Sequence, residues 1–187
     1  TARFRYLFSR LRSAAYDIIE NIADELRNSD FAPVAFELGF GGKDGELRPI
    51  TITEGDAKLS LTGKVDRVDG WIHDDKLYLR VVDYKTGKKA FDLTDVRYGL
   101  GLQMLLYLFA LEEHGKDLLG GNAKSAGVQY FPARSPYVSA NGSLDSETAE
   151  AERAKGFKRK GLVLSDSDVL AAMEPENAPK RLSIKVS

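Results

Sequence analysis

Apolar side chains recur at three- and four-residue steps through the start of the chain, at Phe4, Leu7, Phe8, Leu11, Ile18, Ile22 and Leu26. That spacing predicts an amphipathic helix over about residues 3–28, closed by Asn28-Ser29-Asp30. The pattern then changes to alternation. Residues 34–40 read as a strand, Gly41-Gly42-Lys43-Asp44-Gly45 as a turn, and 49–53 and 58–69 as two further strands. His73-Asp74-Asp75-Lys76 reads as a hairpin turn into a strand over 77–84, whose unbroken apolar run suits the centre of a sheet. A loop with a possible helical turn follows at 91–96. Residues 101–113 are a strongly apolar helix, and 127–131 a strand stopped by Pro132. Beyond Ser135 the pattern fades. Residues 143–160 are polar and partly helical, Ser165–Asp168 can cap a short helix over 169–173, and the last dozen residues read as a tail. The order of elements predicts an α/β or α+β arrangement, a sheet with helices against it.

Composition narrows the class. The chain has 187 residues, 43% of them hydrophobic and 29% charged, which suits one domain with a real core. No apolar run is long enough to span a membrane and no signal segment opens the chain. There is no cysteine, hence no disulfide or thiolate metal site, in keeping with a cytoplasmic origin. With His73 and His114 as the only histidines, a multi-histidine zinc site is out of reach. The chain begins at Thr1 rather than methionine, and a piece of a longer protein is the expectation. A net charge of −1 argues against a protein that coats DNA. It leaves room for an acidic site beside a local basic channel.

The chemistry gathers at Val81-Val82-Asp83-Tyr84-Lys85-Thr86-Gly87. Residues two apart on a strand share a face, so Asp83 and Lys85 project together from the end of a buried strand. A surface ion pair is the plain alternative. Upstream, Gly63-Lys64-Val65-Asp66-Arg67-Val68-Asp69 adds carboxylates on a separate strand. Asp66 and Asp83 can hold one divalent cation; Asp69, three residues on, would turn to the opposite face of a regular strand. Arg67 reads as a structural or phosphate-facing charge, or as a solvated one. On the second helix, Gln103 and Tyr107 are four apart and share a face. They are either the polar rim of a core helix or part of the site.

Together these segments resemble the RecB-like branch of the PD-(D/E)XK nuclease superfamily, and within it the nuclease domain of AddB-type subunits of bacterial helicase–nucleases. The resemblance rests on Gly63–Asp69, Val81–Gly87 and Gly99–Tyr107, in that order, and is strongest over about residues 31–131. Residues 132–187 are the more irregular part of a single nuclease domain. The family implies a restriction-endonuclease-like core, a central mixed β-sheet flanked by helices. It implies Asp66 and Asp83 as metal ligands, with the Tyr84 carbonyl as a third, and Lys85 as the residue that positions or polarises the attacking water. It also implies that Gln103 and Tyr107 support the site or contact DNA phosphate. Hard oxygen ligands suit Mg²⁺ or Mn²⁺. The implied activity is that of an exonuclease on single-stranded DNA ends, in double-strand-break processing and recombinational repair beside an AddA-type helicase subunit. No phosphate-binding loop of the Gly-X-X-X-X-Gly-Lys-(Ser/Thr) type is present, so ATP hydrolysis is not expected of this chain.

Two features depart from the family. RecB-like nucleases bring a histidine from a helix upstream of the first strand, and here no histidine precedes His73; the first helix offers Asp17, Glu20, Asp24 and Glu25. AddB-type proteins also hold an iron–sulfur cluster through flanking cysteines, which this chain lacks. A non-catalytic scaffold or DNA-guiding piece is therefore the second reading, and a restriction-type or viral nuclease a remote third. Glu37 is a weak acidic candidate with a structural role favoured; His73 and His114 read as surface residues. Arg153, Lys155, Lys158, Arg159, Lys160 and Lys88-Lys89 are either solvated or phosphate contacts. Tyr130 and Tyr137 are candidates for stacking on bases, and Phe131 for the core.

Overall fold

The computed structural model describes residues 2–41, 45, 47–87, 91–136, 143, 145–176 and 181–182. The chain opens with helix α1 (Ala2–Arg27), then strands β1 (Ala32–Phe40), β2 (Ile50–Glu54), β3 (Ala57–Leu61), β4 (Gly63–His73) and β5 (Lys76–Lys85). Helices α2 (Leu93–Arg97), α3 (Gln103–His114) and α4 (Lys116–Leu119) lead to β6 (Asn122–Pro132), α5 (Ser146–Gly156), β7 (Lys160–Val163) and α6 (Ser167–Met173). Five strands form one mixed sheet in the order β1-β4-β5-β6-β7, parallel only between β5 and β6. The central mixed sheet with flanking helices is the one expected of a restriction-endonuclease-like core.

Local chemistry explains most boundaries. Asp74 and Asp75 have φ of 47° and 57°, the left-handed pair that a tight two-residue hairpin needs, and Asp tolerates it better than most residues. Asp166 accepts from the N–H groups of Asp168 and Val169 and so starts α6. The alternation over 58–69 predicts one strand, but the chain breaks at Thr62. β3 pairs with β2 in a separate hairpin, whereas β4 enters the main sheet. Both halves alternate in the same way, so the pattern carries no mark of the change of partner. β6 begins five residues before the predicted strand. β7 has no counterpart among the predicted elements; Gly161 allows its backbone close to Val128, where a Cβ would lie 1.9 Å from the carbonyl oxygen.

The sheet separates two cores. α3 covers one face, where Met104, Tyr107, Leu108 and Leu111 pack on Leu38, Phe40, Val65, Leu79, Val81 and Val128. The other face carries Phe31, Ala126 and the α6 residues Val169, Ala172 and Met173. The C-terminal end of α1 also lies on that side, fixed by Glu25. Phe4, Leu7, Phe8 and Leu11 of the predicted α1 stripe are exposed. Among the described residues no helix is long and apolar enough to cross a membrane.

Candidate active site

Asp66 occupies an irregular point in β4. The β1 ladder pairs Leu38 with Val65 and Phe36 with Arg67, and the omitted pair is Glu37 and Asp66. Glu37 has φ of 52°, a left-handed backbone that costs about 1–3 kcal/mol in a non-glycine residue. On the other side, the β4–β5 ladder runs from His73↔Lys76 to Arg67↔Val82 and stops one step short of Asp66 and Asp83. Val65 and Val68 both face α3 although they are three apart, so the alternation slips between them. Asp66 lies in that slip. Its Oδ2 accepts from the Tyr84 N–H at 2.8 Å, in place of a ladder bond.

Asp83 and Lys85 continue the series Leu77, Leu79, Val81 on the α3 face of β5. Lys85 Nζ lies 2.5 Å from Asp83 Oδ2, with the lysine side chain one third exposed (33%) and the aspartate 20%. Asp83 Oδ2 itself is shielded from solvent and makes no hydrogen bond of regular geometry among the described residues. Mg²⁺ is typically held by one or two carboxylates, with water and phosphate completing its shell. Asp66 and Asp83 offer that donor set at neighbouring positions of adjacent strands, so the residues fit such an ion. No group of three or more acidic, histidine or cysteine side chains gathers for a metal among the described residues.

Gln103 and Tyr107 meet each other and the start of β4. Gln103 is exposed, and its Nε2 donates to Tyr107 Oη at 2.7 Å. The buried Tyr107 ring stacks on Phe40 with centroids 5.0 Å apart, and a Cβ on Gly63 would fall 1.7 Å from its hydroxyl. Only glycine at 63 leaves room for that oxygen. Among the described residues neither side chain hydrogen-bonds to Asp66, Asp83 or Lys85.

The other charged candidates separate by face. Asp69 does turn away and is fully buried. Arg67 is neither solvated nor turned to a phosphate: it is 1% exposed, bonded to Asp69 and to Tyr84 Oη at 2.9 Å. Arg80 donates to Asp69 at 2.6 Å and faces Glu25 at 3.3 Å. Arg159 is likewise no phosphate contact, since it is buried against Glu25 at 2.6 Å and lies over the Phe131 ring. The local sequence has no signal for this cluster, because its partners are up to 134 positions apart. Glu37 is exposed and pairs with Lys64 at 3.2 Å. His73 and His114 are partly exposed, each near an exposed carboxylate. Phe131 is core, and Tyr130, 8% exposed, is too enclosed to stack on a base. Lys88, Lys89 and Tyr137 lie outside the described residues.

The family model of the PD-(D/E)XK nuclease superfamily matches residues 1–179. The chain belongs to that superfamily. Within it, the likeness is to AddB-type ATP-dependent helicase/deoxyribonuclease subunits over most of the chain. This PD-(D/E)XK domain is 38% identical to the one from Anoxybacillus flavithermus over 98% of its own length and 16% of that relative. It is 39% identical to the relative from Acetivibrio thermocellus over 93% of the chain, and 39% identical to that of Bacillus subtilis over 92%, each match spanning 15% of the relative. The chain thus spans about a sixth of the length of the curated relatives it matches.

Proposed function

We propose that this domain is a Mg²⁺- or Mn²⁺-dependent deoxyribonuclease that acts as an exonuclease on single-stranded DNA ends. It would do so within a helicase–nuclease subunit that processes double-strand breaks for recombinational repair, with an AddA-type helicase as partner. The relatives' names and the motif order support the context. The observation that supports the chemistry is that Asp66 and Asp83 stand one step beyond the last pair of the β4–β5 ladder, with Lys85 paired to Asp83.

Asp66 and Asp83 would hold the ion, with the Tyr84 carbonyl as a further oxygen. When bound, the ion activates a water and offsets charge on the attacked phosphate. Asp66 has a second task, since its bond to the Tyr84 N–H fixes the strand end from which Asp83 and Lys85 project. The Lys85 ammonium, beside Asp83, would face the attacking water or the phosphate oxygens and stabilise their growing charge. Gln103 and Tyr107 act at one remove in this scheme, holding Gly63 and so the entry of β4.

A second reading, a DNA-guiding scaffold, draws on the lack of a third acidic or histidine ligand among the described residues. Cleavage of end-labelled single-stranded DNA with Mg²⁺ or Mn²⁺ separates the two. Cutting that is lost in Asp83→Ala supports the nuclease; DNA binding without cutting, together with millimolar or weaker Mn²⁺ affinity by calorimetry, supports the scaffold.

A further inference from the structure

Lys85 must reach one place at the site, yet it is a flexible side chain on the last residue of β5. One partner holding its ammonium is Asp83. A second, among the described residues, is an aromatic face: Lys85 Nζ lies 5.5 Å from the centroid of the Tyr130 ring. Tyr130 is the β6 residue in register with Asp83, and Lys85, two residues on along β5, shares their face, so its ammonium reaches back to both the carboxylate and the ring. The ring is itself fixed. It is part of the α3-side core and is packed at its side by Phe91, 6.0 Å away.

We propose that Tyr130 is a positioning residue for Lys85, a rigid platform that keeps the ammonium at the mouth of the site when Asp83 releases it. A cation over an aromatic face is attracted by the ring quadrupole, more strongly where water is partly excluded. Asp83 has a second claimant in the bound ion, and the ring does not. Tyr130 therefore retains Lys85 at the moment when the ion pair with Asp83 is given up.

What Lys85 does rests on the nuclease reading; where Lys85 is held does not, and two measurements separate them. The first is the position of the Lys85 ε-CH₂ protons in ¹³C-edited NMR of the whole chain, identified by their loss in Lys85→Arg. Ring current moves them upfield of the other lysines in the parent and in Tyr130→Phe, and Tyr130→Leu returns them to the common position. A parent signal already at the common position overturns the platform, whether or not the leucine variant folds. The second is cleavage of end-labelled single-stranded DNA. Tyr130→Leu lowers kcat about five- to tenfold with KM within about twofold, and phenylalanine restores most of the loss. Leucine cutting at the parent rate, or phenylalanine as slow as leucine, overturns it. A parent that cuts nothing overturns the nuclease reading, while the ring-current result still decides the platform.

Discussion

In the proposed function Asp66 and Asp83 are equivalent as ligands, yet they are unequal as parts of the fold. Asp66 commits one oxygen to the Tyr84 N–H, whereas Asp83 makes no bond to the backbone among the described residues. Asp66→Ala therefore leaves a part-buried N–H without its acceptor and costs about 1 kcal/mol of stability, while Asp66→Asn retains an oxygen there and stays within about 0.5 kcal/mol. Urea unfolding reads that difference, and the cleavage assay gives no product with either variant. Asp83→Ala abolishes cutting with no such cost. A related test concerns Gly63. A methyl group placed 1.7 Å from the Tyr107 hydroxyl must push a ring that is stacked on Phe40. Gly63→Ala is expected to lose about 1–3 kcal/mol in the same urea titration. Adding Tyr107→Phe restores only part of that, since the ring carbon behind the hydroxyl lies 2.7 Å from the new methyl.

The element most dependent on distant charge is α1. Its one buried residue, Glu25, faces Arg159 at 2.6 Å, Arg80 at 3.3 Å and Arg67 at 3.7 Å, and so ties the helix to β4, β5 and the segment before β7. Removing one partner from a buried charge cluster costs about 3–5 kcal/mol, and Glu25→Ala should lose that much in urea unfolding. The carboxyl also sets a pH dependence. Burial alone pushes its pKa up, but Arg159, Arg80 and Arg67 outweigh burial and hold it below the ordinary 4.5. A depressed folded pKa means that the unfolded chain takes up the proton first. The stabilisation is complete above pH 4.5 and is lost as pH falls through the folded value. Glu112 and Asp145 are lowered too, by bonds from Ser125 and Lys124 and from Thr148 respectively, and add to the same acid slope. Acid titration of stability should therefore be shallower in Glu25→Gln than in the parent, yet still present. This cluster also marks how far the sequence could be read. β1, β5, α3 and α6 announce themselves through local periodicity or caps, and the Asp83/Lys85 pair follows from strand alternation. Glu25 looks like any acid on the polar side of a helix, and Arg67 like any strand charge, because their burial is decided by partners far along the chain. The slip at Asp66 is equally silent: regular alternation sends Asp69 to the far face, but the irregularity that seats Asp66 depends on Glu37 in the neighbouring strand.

At the scale of the whole molecule, a net charge of −1 conceals a division between the faces of the sheet. Arg67, Arg80 and Arg159 are withdrawn into the buried cluster with Glu25 and Asp69, so they contribute nothing to a DNA channel. Of the basic residues near the end of α5, Lys155 pairs with Glu152 at 2.5 Å, whereas Lys160, at the start of β7, is exposed. Lys160 has the most informative place. It pairs with Tyr130, which pairs with Asp83, so the three share one row across β5, β6 and β7. Strands lie about 4.8 Å apart, which sets the Lys160 backbone roughly 10 Å from that of Asp83. If, as proposed, the scissile bond lies at the carboxylates, that is within reach of a neighbouring phosphate on the same strand. Each phosphate neutralised on single-stranded DNA adds about 0.7 to the slope of log affinity against log salt. Lys160→Ala should therefore weaken binding equally for all sequences and reduce that slope by about 0.7, read by fluorescence anisotropy between about 50 and 200 mM salt without divalent metal. Lys155→Ala, whose charge is already engaged by Glu152, should leave the slope unchanged. Equal slopes for the parent and Lys160→Ala would place the DNA path away from β7, and a strand leaving the carboxylates would then have to run toward β1 instead.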